Sequence, residues 1–529
     1  MPSTIPLPEL GLALSPNSRG YAKKLIYAAV GIVTAFSLIP LIYLLIRAGE
    51  KSVTEILTLL LREKTLTVIV TTATLVFAVT LINLIVGVAM ACGLHFVRLP
   101  VRRFLIIPVV LPLAIPSYVF TYTWIALVPS LSGLLAGIFI LSLTTMPYLV
   151  LATMAGLRRI DGAQIEMAQS LGLSKAAIFF RVVLPQIRGH VSAGALLTGL
   201  YIISDFGAVY LLKVETLTVL IQNIYRSSYD RGAAAVISIL LILLSLFFVF
   251  ADEKFRSKNE HERVVRLNPI KSALIRKKSF IAAVISAIAI YSFLSVAIPL
   301  YVLFSRFYAN RVSIEWSNLA SASTSTILVS AMGAGLALLL SIPLGFLVIE
   351  RESLLSKTSQ RIMLASHALP GVIIGLALVS LGSKISFLYQ TTFLLAIAYV
   401  LLFLAKSIAT IRTSLTRIPT GVKEVAATLG MNQWAMLRKV IFPIAAPSIG
   451  LGTILVFLTA MKELPATLML RPTGFDTLAT HVWSSAAINR FNEAAPYALT
   501  LVIIAAVPTF FISRPDKADR AFINDEMRS

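Results

Sequence analysis

Along its length the chain alternates long apolar runs with short charged clusters. The runs fall at 25–46, 68–94, 104–127, 134–156, 193–212 and 233–251, then at 280–304, 327–349, 362–381, 391–411, 447–470 and 496–513. Most hold about 17 to 25 residues, enough for an α-helix to cross a hydrocarbon core of about 30 Å. Lipid offers the backbone no hydrogen-bond partner, so each run must satisfy its own N–H and C=O groups as a helix. The pattern predicts an all-α polytopic membrane protein with about twelve transmembrane helices.

The longest strongly charged stretch, Asp252 to Lys278, carries nine Lys or Arg and four Asp or Glu, and divides the runs six and six. It predicts a first six-helix half over 1–251, a cytoplasmic linker over 252–279 and a second six-helix half over 280–529. An even number of crossings gives the halves one orientation, so they form parallel repeats related by an axis along the membrane normal.

Composition supports this reading. Of 529 residues 57% are hydrophobic and 13% charged, with a mean hydropathy of +0.88, outside the range of soluble domains. A net charge of +22 on a soluble protein would suggest a nucleic-acid partner. Here the charges lie between helices: with the N-terminus in the cytoplasm, about 33 of the 46 Lys and Arg fall on the cytoplasmic side. The bias predicts both termini in the cytoplasm and no nucleic acid. The single cysteine, Cys92, sits in an apolar run as packing and excludes an intrachain disulfide. The first run is too long for a typical signal peptide and reads as an uncleaved anchor.

Two polar gaps share residues. LRRIDGAQIEMAQSLG, Leu157 to Gly172, aligns with LTRIPTGVKEVAATLG, Leu415 to Gly430, at an offset of 258, with seven of sixteen positions identical. Gly87 and Gly345 keep that offset, and Pro116 matches Pro370 after a shift of four. Each gap reads as two short helices around a glycine, with Gly172 and Gly430 supplying a positive φ. Ser174 and Asn432 follow as N-caps. Met167, Leu171, Ile178, Phe179 and Val182 put an apolar face on a segment placed in water, the make-up of a helix presented to a partner. Pro185 and Pro443, each nineteen residues after a glutamate, are expected to end the element. An amphipathic loop resting on lipid headgroups would account for one copy. Two copies at one spacing point to a partner.

Glu-x-Ala, a glycine six positions after the glutamate, then a hydrophobic-x-Leu/Phe-Pro segment, resembles the EAA signature of ABC-importer permeases. In that family the loop docks on a cytoplasmic ATPase and transmits its closure to the membrane helices. The resemblance implies ATPase-coupling roles for Glu166, Ala168, Gly172 and Pro185 in one loop and Glu424, Ala426, Gly430 and Pro443 in the other. Met167 and Val425 stand where the family prefers alanine. Arg181, Arg188, Arg438 and Lys439 lie either beside that ATPase or lipid phosphate, or on a solvated face. No G-x-x-x-x-G-K-[ST] phosphate loop occurs in the chain. ATP and Mg then belong to two copies of a partner ATPase, this chain holds no cofactor of its own, and it is not itself an enzyme. External loops too small to fold a domain imply a separate substrate-binding protein. The implied location is the bacterial inner membrane.

Asp205 lies near the end of the fifth run, and an offset of 258 from it lands on Glu463. Carboxylates at such positions are costly and point to function. With Tyr201 and Tyr210 they offer hard oxygen donors for a substrate pathway, with Asp205 and Glu463 as transient metal ligands. Equally, each acid can cap a broken helix beside Gly207 or Pro465, or pair with Lys462. The flanking stretches SDFGAVYLLKVETLTVLIQNIYRSSYDRGAAA and KELPATLMLRPTGFDTLATHVWSSA resemble fused permeases of ferric-iron importers, with related permeases serving thiamine and other small solutes. A secondary transporter driven by a proton or sodium gradient also fits two parallel halves, with the two acids as proton carriers. A membrane enzyme lacks a nucleophile-base cluster to support it.

Other residues carry less. His95, His190, His261, His367 and His481 lack metal-ligand spacing and read as surface or interface residues. Pro108, Pro112, Pro116 and Pro370 predict kinks whose freed carbonyls need internal partners. Asn83 predicts an interhelical hydrogen bond.

Overall fold

The computed structural model describes residues 16–97, 99, 102–225, 230–257, 277–309, 314–350, 369–416, 418, 420–431 and 433–512. These form helices and turns, with no strand among the described residues. The first half runs α1 (Pro16–Gly49), α2 (Val53–Leu61), α3 (Glu63–Phe96), α4 (Arg102–Val110), α5 (Ser117–Leu127), α6 (Gly133–Leu157), α7 (Gly162–Ser170), α8 (Lys175–Ile178), α9 (Leu184–Ser204), α10 (Gly207–Leu211), α11 (Leu217–Asn223) and α12 (Arg231–Ser257). The second runs α13 (Lys278–Ser292), α14 (Ile298–Ala309), α15 (Trp316–Glu350), α16 (Gly371–Gly382), α17 (Thr392–Thr416), α18 (Thr420–Thr428), α19 (Gln433–Met436), α20 (Phe442–Met461), α21 (Pro465–Leu470), α22 (Leu478–Ala487) and α23 (Phe491–Ile512). Residues 258–276 of the expected linker, His261, His367 and Asn432 lie outside the described residues.

The twelve apolar runs do not become twelve straight crossings. Among the described residues eight helices are long and apolar enough to span a bilayer, or nine when the bent pair Phe104–Ala114 and Ser117–Leu127 counts as one. That pair turns by 95°. Pro112 is the second residue of the 3₁₀ turn Leu111–Ala114, and Pro116 holds Ile115 extended, at φ −89° and ψ 119°, as the residue before a proline favours. The runs 193–212 and 447–470 break as well, between Ser204 and Gly207 and between Met461 and Pro465.

Packing fixes the directions. An ideal Cβ on Gly137 would stand 3.4 Å from Leu75 Cδ1, and one on Gly87 3.3 Å from Leu149 Cδ2. Both members of each pair advance together along the chain, so α3 and α6 run parallel at the close approach that small residues allow. Asn83 Nδ2 donates to Thr145 Oγ1 at 2.7 Å across the same seam, the interhelical bond the sequence predicts. In the second half a Cβ on Gly333 would stand 2.6 Å from Tyr399 Cβ, and Ser341 and Ser407 share a hydrogen bond of 2.8 Å, so α15 and α17 are parallel too. Gly93, late in α3, abuts Val284, early in α13, where an added Cβ would stand 2.8 Å from Val284 Cγ2, and the span Lys278–Ala309 then crosses to where α15 begins. The loops after α6 and α17 therefore emerge on one face, and α2 lies on the opposite face.

Three π-helical turns, Phe179–Val183, Phe293–Ala297 and Leu437–Ile441, share one cause. Each ends two residues before a proline: Pro185, Pro299 and Pro443. A proline ring collides with the carbonyl four residues back and donates no hydrogen bond. Widening the turn by one residue removes the collision and lets the helix continue. Leu184 N–H thus bonds to the Phe179 carbonyl and Phe442 N–H to that of Leu437. Pro185 and Pro443 do not end the element as expected; they sit inside continuous helical stretches, Lys175–Ser204 and Gln433–Met461.

Candidate functional site

The first repeated loop is built by its caps. Asp161 accepts from Ala163 N–H at 3.2 Å and starts α7. At its end Gly172 takes φ +75°, Gly172 N–H bonds to the Gln169 carbonyl at 2.9 Å and Leu173 N–H to that of Ala168 at 3.2 Å. This is the Schellman closure, which needs a left-handed residue at the glycine. Ser174 then caps α8 by accepting from Ala177 N–H at 3.3 Å. Ala168 supplies the closing carbonyl and is itself buried, so the small residue of the motif lets the turn seat against the body. Gln186 reaches back to Gln164 at 3.0 Å and ties α7 to α9.

The second loop repeats this. Gly430 takes φ +73°, Met431 N–H bonds to the Ala426 carbonyl at 3.2 Å, and Ala426 is buried. Glu166 and Glu424 are exposed on their helices. Each loop also presents an apolar pair four residues apart: Met167 and Leu171 are 67% and 75% exposed, Val425 and Leu429 59% and 71%. The expected apolar face is narrower in the structure, because Ile178 turns into the core and Phe179 and Val182 are half-buried.

Asp205 and Glu463 sit at the ends of the two continuous stretches, where the helices break. Asp205 accepts from Ala208 N–H at 3.0 Å, capping α10, and from the Ser117 hydroxyl at the first turn of α5. Its backbone carbonyl accepts from Thr218 at 2.8 Å. Glu463 accepts from Ala466 N–H at 3.1 Å, capping α21. Its other neighbour is Gly371, at the first turn of α16, where an added Cβ would collide with Glu463 Oε1. Pro116-Ser117 and Pro370-Gly371 match in the repeat, so each acid lies against two helix N-termini, which favour negative charge. The halves differ by one exchange: aspartate with serine on one side, the longer glutamate with glycine on the other.

The two breaks adjoin. A Cβ on Gly207 would stand 2.7 Å from Tyr118 Cβ and 3.3 Å from Leu464 Cδ2, which joins the residue after Glu463 to the first half. Phe206, Tyr210 and Trp483 form a ring cluster across the same boundary, with centroids 5.0 to 5.4 Å apart. Tyr210 is thus placed beside Trp483, while Tyr201 packs on Tyr148 at 5.5 Å. Lys462 Nζ donates to the Leu113 carbonyl at 2.7 Å, so a cation of one half serves a carbonyl freed by the bend before Pro116 in the other. Among the described residues no group of three or more His, Cys, Asp or Glu side chains is placed to hold a metal ion.

Sequence reasoning missed Ser117, Gly371 and the bond from Lys462 to Leu113. The first two directly follow the matched prolines, and that spacing was the available signal. Leu217 N–H on Thr72 at 3.1 Å and Leu478 N–H on Thr326 at 2.8 Å are a further symmetric pair.

The family model for binding-protein-dependent transport system inner membrane components matches the chain twice, over residues 83–259 and 337–514. The chain is 30% identical, over 90% of its length and 95% of the relative, to the Fe(3+)-transport system permease protein FbpB 2 of Haemophilus influenzae. It is 24% identical, over 82% of its length and 84% of the relative, to the probable ABC transporter permease protein y4fN of Sinorhizobium fredii. A shorter match, 32% identical over 26% of the chain and 52% of the relative, is to the putative 2-aminoethylphosphonate transport system permease protein PhnV of Salmonella typhimurium.

Proposed function

The chain belongs to the family of binding-protein-dependent transport system inner membrane components, and we propose that it is the fused permease of a ferric-iron importer, powered by two copies of a separate cytoplasmic ATPase. The observation that carries this is the continuity from loop to break. In each half a capped loop with an exposed apolar pair leads through the π turn, along one helical stretch about 45 Å long at 1.5 Å per residue, to the acid at the break. A push on the loop moves the far end of that stretch.

In this reading 1–251 and 280–529 are the two permease halves, joined by 252–279, and the loops with both termini face the cytoplasm. Glu166 and Glu424, with Ala168, Gly172, Pro185, Ala426, Gly430 and Pro443 shaping their loops, engage the ATPase. A binding protein delivers cargo at the opposite face. ATP and Mg are held by the ATPase. Asp205 and Glu463, with Tyr201 and Tyr210 close by, border the route between the halves, holding its broken helices and meeting the cation in passing. Loose contact suits a carrier, which must release what it binds. Support for ferric iron comes from the Haemophilus relative and from this paired oxygen chemistry.

The test uses the purified chain with its candidate ATPase and binding protein in vesicles. Glu166→Ala with Glu424→Ala is expected to abolish complex formation and cargo-stimulated ATP hydrolysis, and unchanged values of both refute the coupling role. Iron uptake is expected to fall in Asp205→Asn with Glu463→Gln; uptake of thiamine in place of iron by the parent protein refutes the cargo.

A further inference from the structure

Among the described residues the short helix α2 has no counterpart between α14 and α15, which are joined by the six residues 310–315. At nine residues it is about 13 Å long and cannot cross a bilayer. It joins two helices that do cross, α1 and α3, and so stays at one surface. Its sequence VTEILTLLL sorts into three faces. Ile56, Leu59 and Leu60 lean on the core. Thr54, Glu55 and Thr58 form a polar face, and Val53, Leu57 and Leu61, each more than half exposed, form an apolar stripe at four-residue spacing.

Two devices fix its direction. Ser52 and Glu55 form a capping box: Glu55 N–H bonds to Ser52 Oγ at 3.3 Å and Ser52 N–H to Glu55 Oε2 at 2.8 Å. Lys51 Nζ lies 2.9 Å from Asp230 Oδ2 and 3.8 Å from Glu55 Oε1, clamping the helix start to the foot of α12. At the other end Lys64 Nζ stands 3.4 Å from Glu215 Oε1.

The surroundings identify what covers the stripe. The last turns of α1 expose Leu45 and Ile46, and the first turns of α3 expose Leu66 and Val70. These belong to helices long and apolar enough to cross a bilayer, and the exposed stripe of α2 lies in the chain between the two exposed apolar surfaces. Arg62 is exposed at the junction of α2 and α3. An apolar stripe, a polar face beside it and a flanking cation are features of a helix lying in the membrane interface.

We propose that α2 is an in-plane anchor that seats the first half on the phospholipid of the leaflet opposite the coupling loops. Val53, Leu57 and Leu61 enter the acyl boundary and Arg62 meets the phosphates.

The test places single cysteines in a Cys92→Ser background, Leu57→Cys on the stripe and Thr58→Cys on the polar face, each carrying a small fluorophore. The full chain is reconstituted in vesicles of phosphatidylethanolamine and phosphatidylglycerol. Shallow spin-labelled lipid is expected to quench the probe at 57 several-fold more than the probe at 58, with aqueous iodide showing the reverse order. Val53→Cys repeats the measurement should the label at 57 disturb the fold. Equal iodide quenching on both faces overturns the proposal. So does a stripe shielded from iodide only after the binding protein is added, which would make it a protein-docking surface.

Discussion

If Ser117 fills the space that the extra methylene of Glu463 takes in the other half, the two sites are interchangeable as pairs but not as single residues. Ser117→Gly removes a hydroxyl that donates to a buried carboxylate, a bond worth about 1.5–3 kcal/mol when one partner is charged. Asp205→Glu adds a methylene to a closed site, at about 1–3 kcal/mol. Independent effects would sum to about 2.5–6 kcal/mol. The double variant rebuilds the glutamate-glycine pair found at Glu463 and Gly371, and is expected to lie within about 1 kcal/mol of the parent, a coupling of about 1.5 kcal/mol or more. Gly371→Ser should behave in mirror image and be rescued by Glu463→Asp. Unfolding of the purified chain by dodecyl sulfate in mixed micelles, followed by tryptophan emission, measures all members of the cycle. A coupling below about 0.5 kcal/mol would show that the carboxylates do not read their serine and glycine neighbours, and the capping argument would fail.

Trimming Met167 and Leu171 together to alanine removes the groups whose exposed two-thirds would be buried on the ATPase, and at about 0.8 kcal/mol per methylene should cost about 3 kcal/mol of affinity, about 100-fold in Kd. Val425 and Leu429 should cost somewhat less, and affinity of the detergent-solubilised variants for the ATPase checks both. The Lys51–Asp230 clamp gives a pH dependence. Hydrogen bonds from Ala233 N–H, then from Lys51, hold the Asp230 carboxyl below its ordinary range, and Asp230 in turn raises Lys51. A lowered carboxylate contributes stability above its unfolded value, near pH 4, and loses it as pH falls through the lower folded value. The probe at position 57 should therefore report an unchanged depth from pH 8 to 5 and release only under stronger acid; release near pH 6 would refute the assignment.

The repeated loops were legible because their shape is set by local rules. A glycine that must take a positive φ and a serine that caps the next helix leave marks at fixed spacing, and Gly172 and Ser174 are found where those marks point. The interhelical bond of Asn83 was legible for a similar reason, since an amide in an apolar run needs a partner. The breaks at Asp205 and Glu463 were named only as one option, because an apolar run looks alike whether its helix is straight or interrupted. What interrupts these runs is tertiary: Ser117 and Gly371 come from other helices, and Lys462 reaches a carbonyl in the opposite half. α2 fell in the gap between the runs 25–46 and 68–94, where its polar residues outweighed its stripe. The prolines at 185 and 443 were seen, but their effect was misjudged, because a helix relieves the clash by widening one turn at less cost than stopping.

That widened turn also sets a rotational phase. One extra residue in a turn places every later side chain where its predecessor would otherwise stand, about 100° back round the axis. The side of the helix that faces the loop and the side that carries Asp205 or Glu463 are therefore out of step by an amount fixed at Phe179–Val183 and Leu437–Ile441. Because the offset is the same in both halves, a push delivered equally to the two loops arrives at the two breaks with the same bearing.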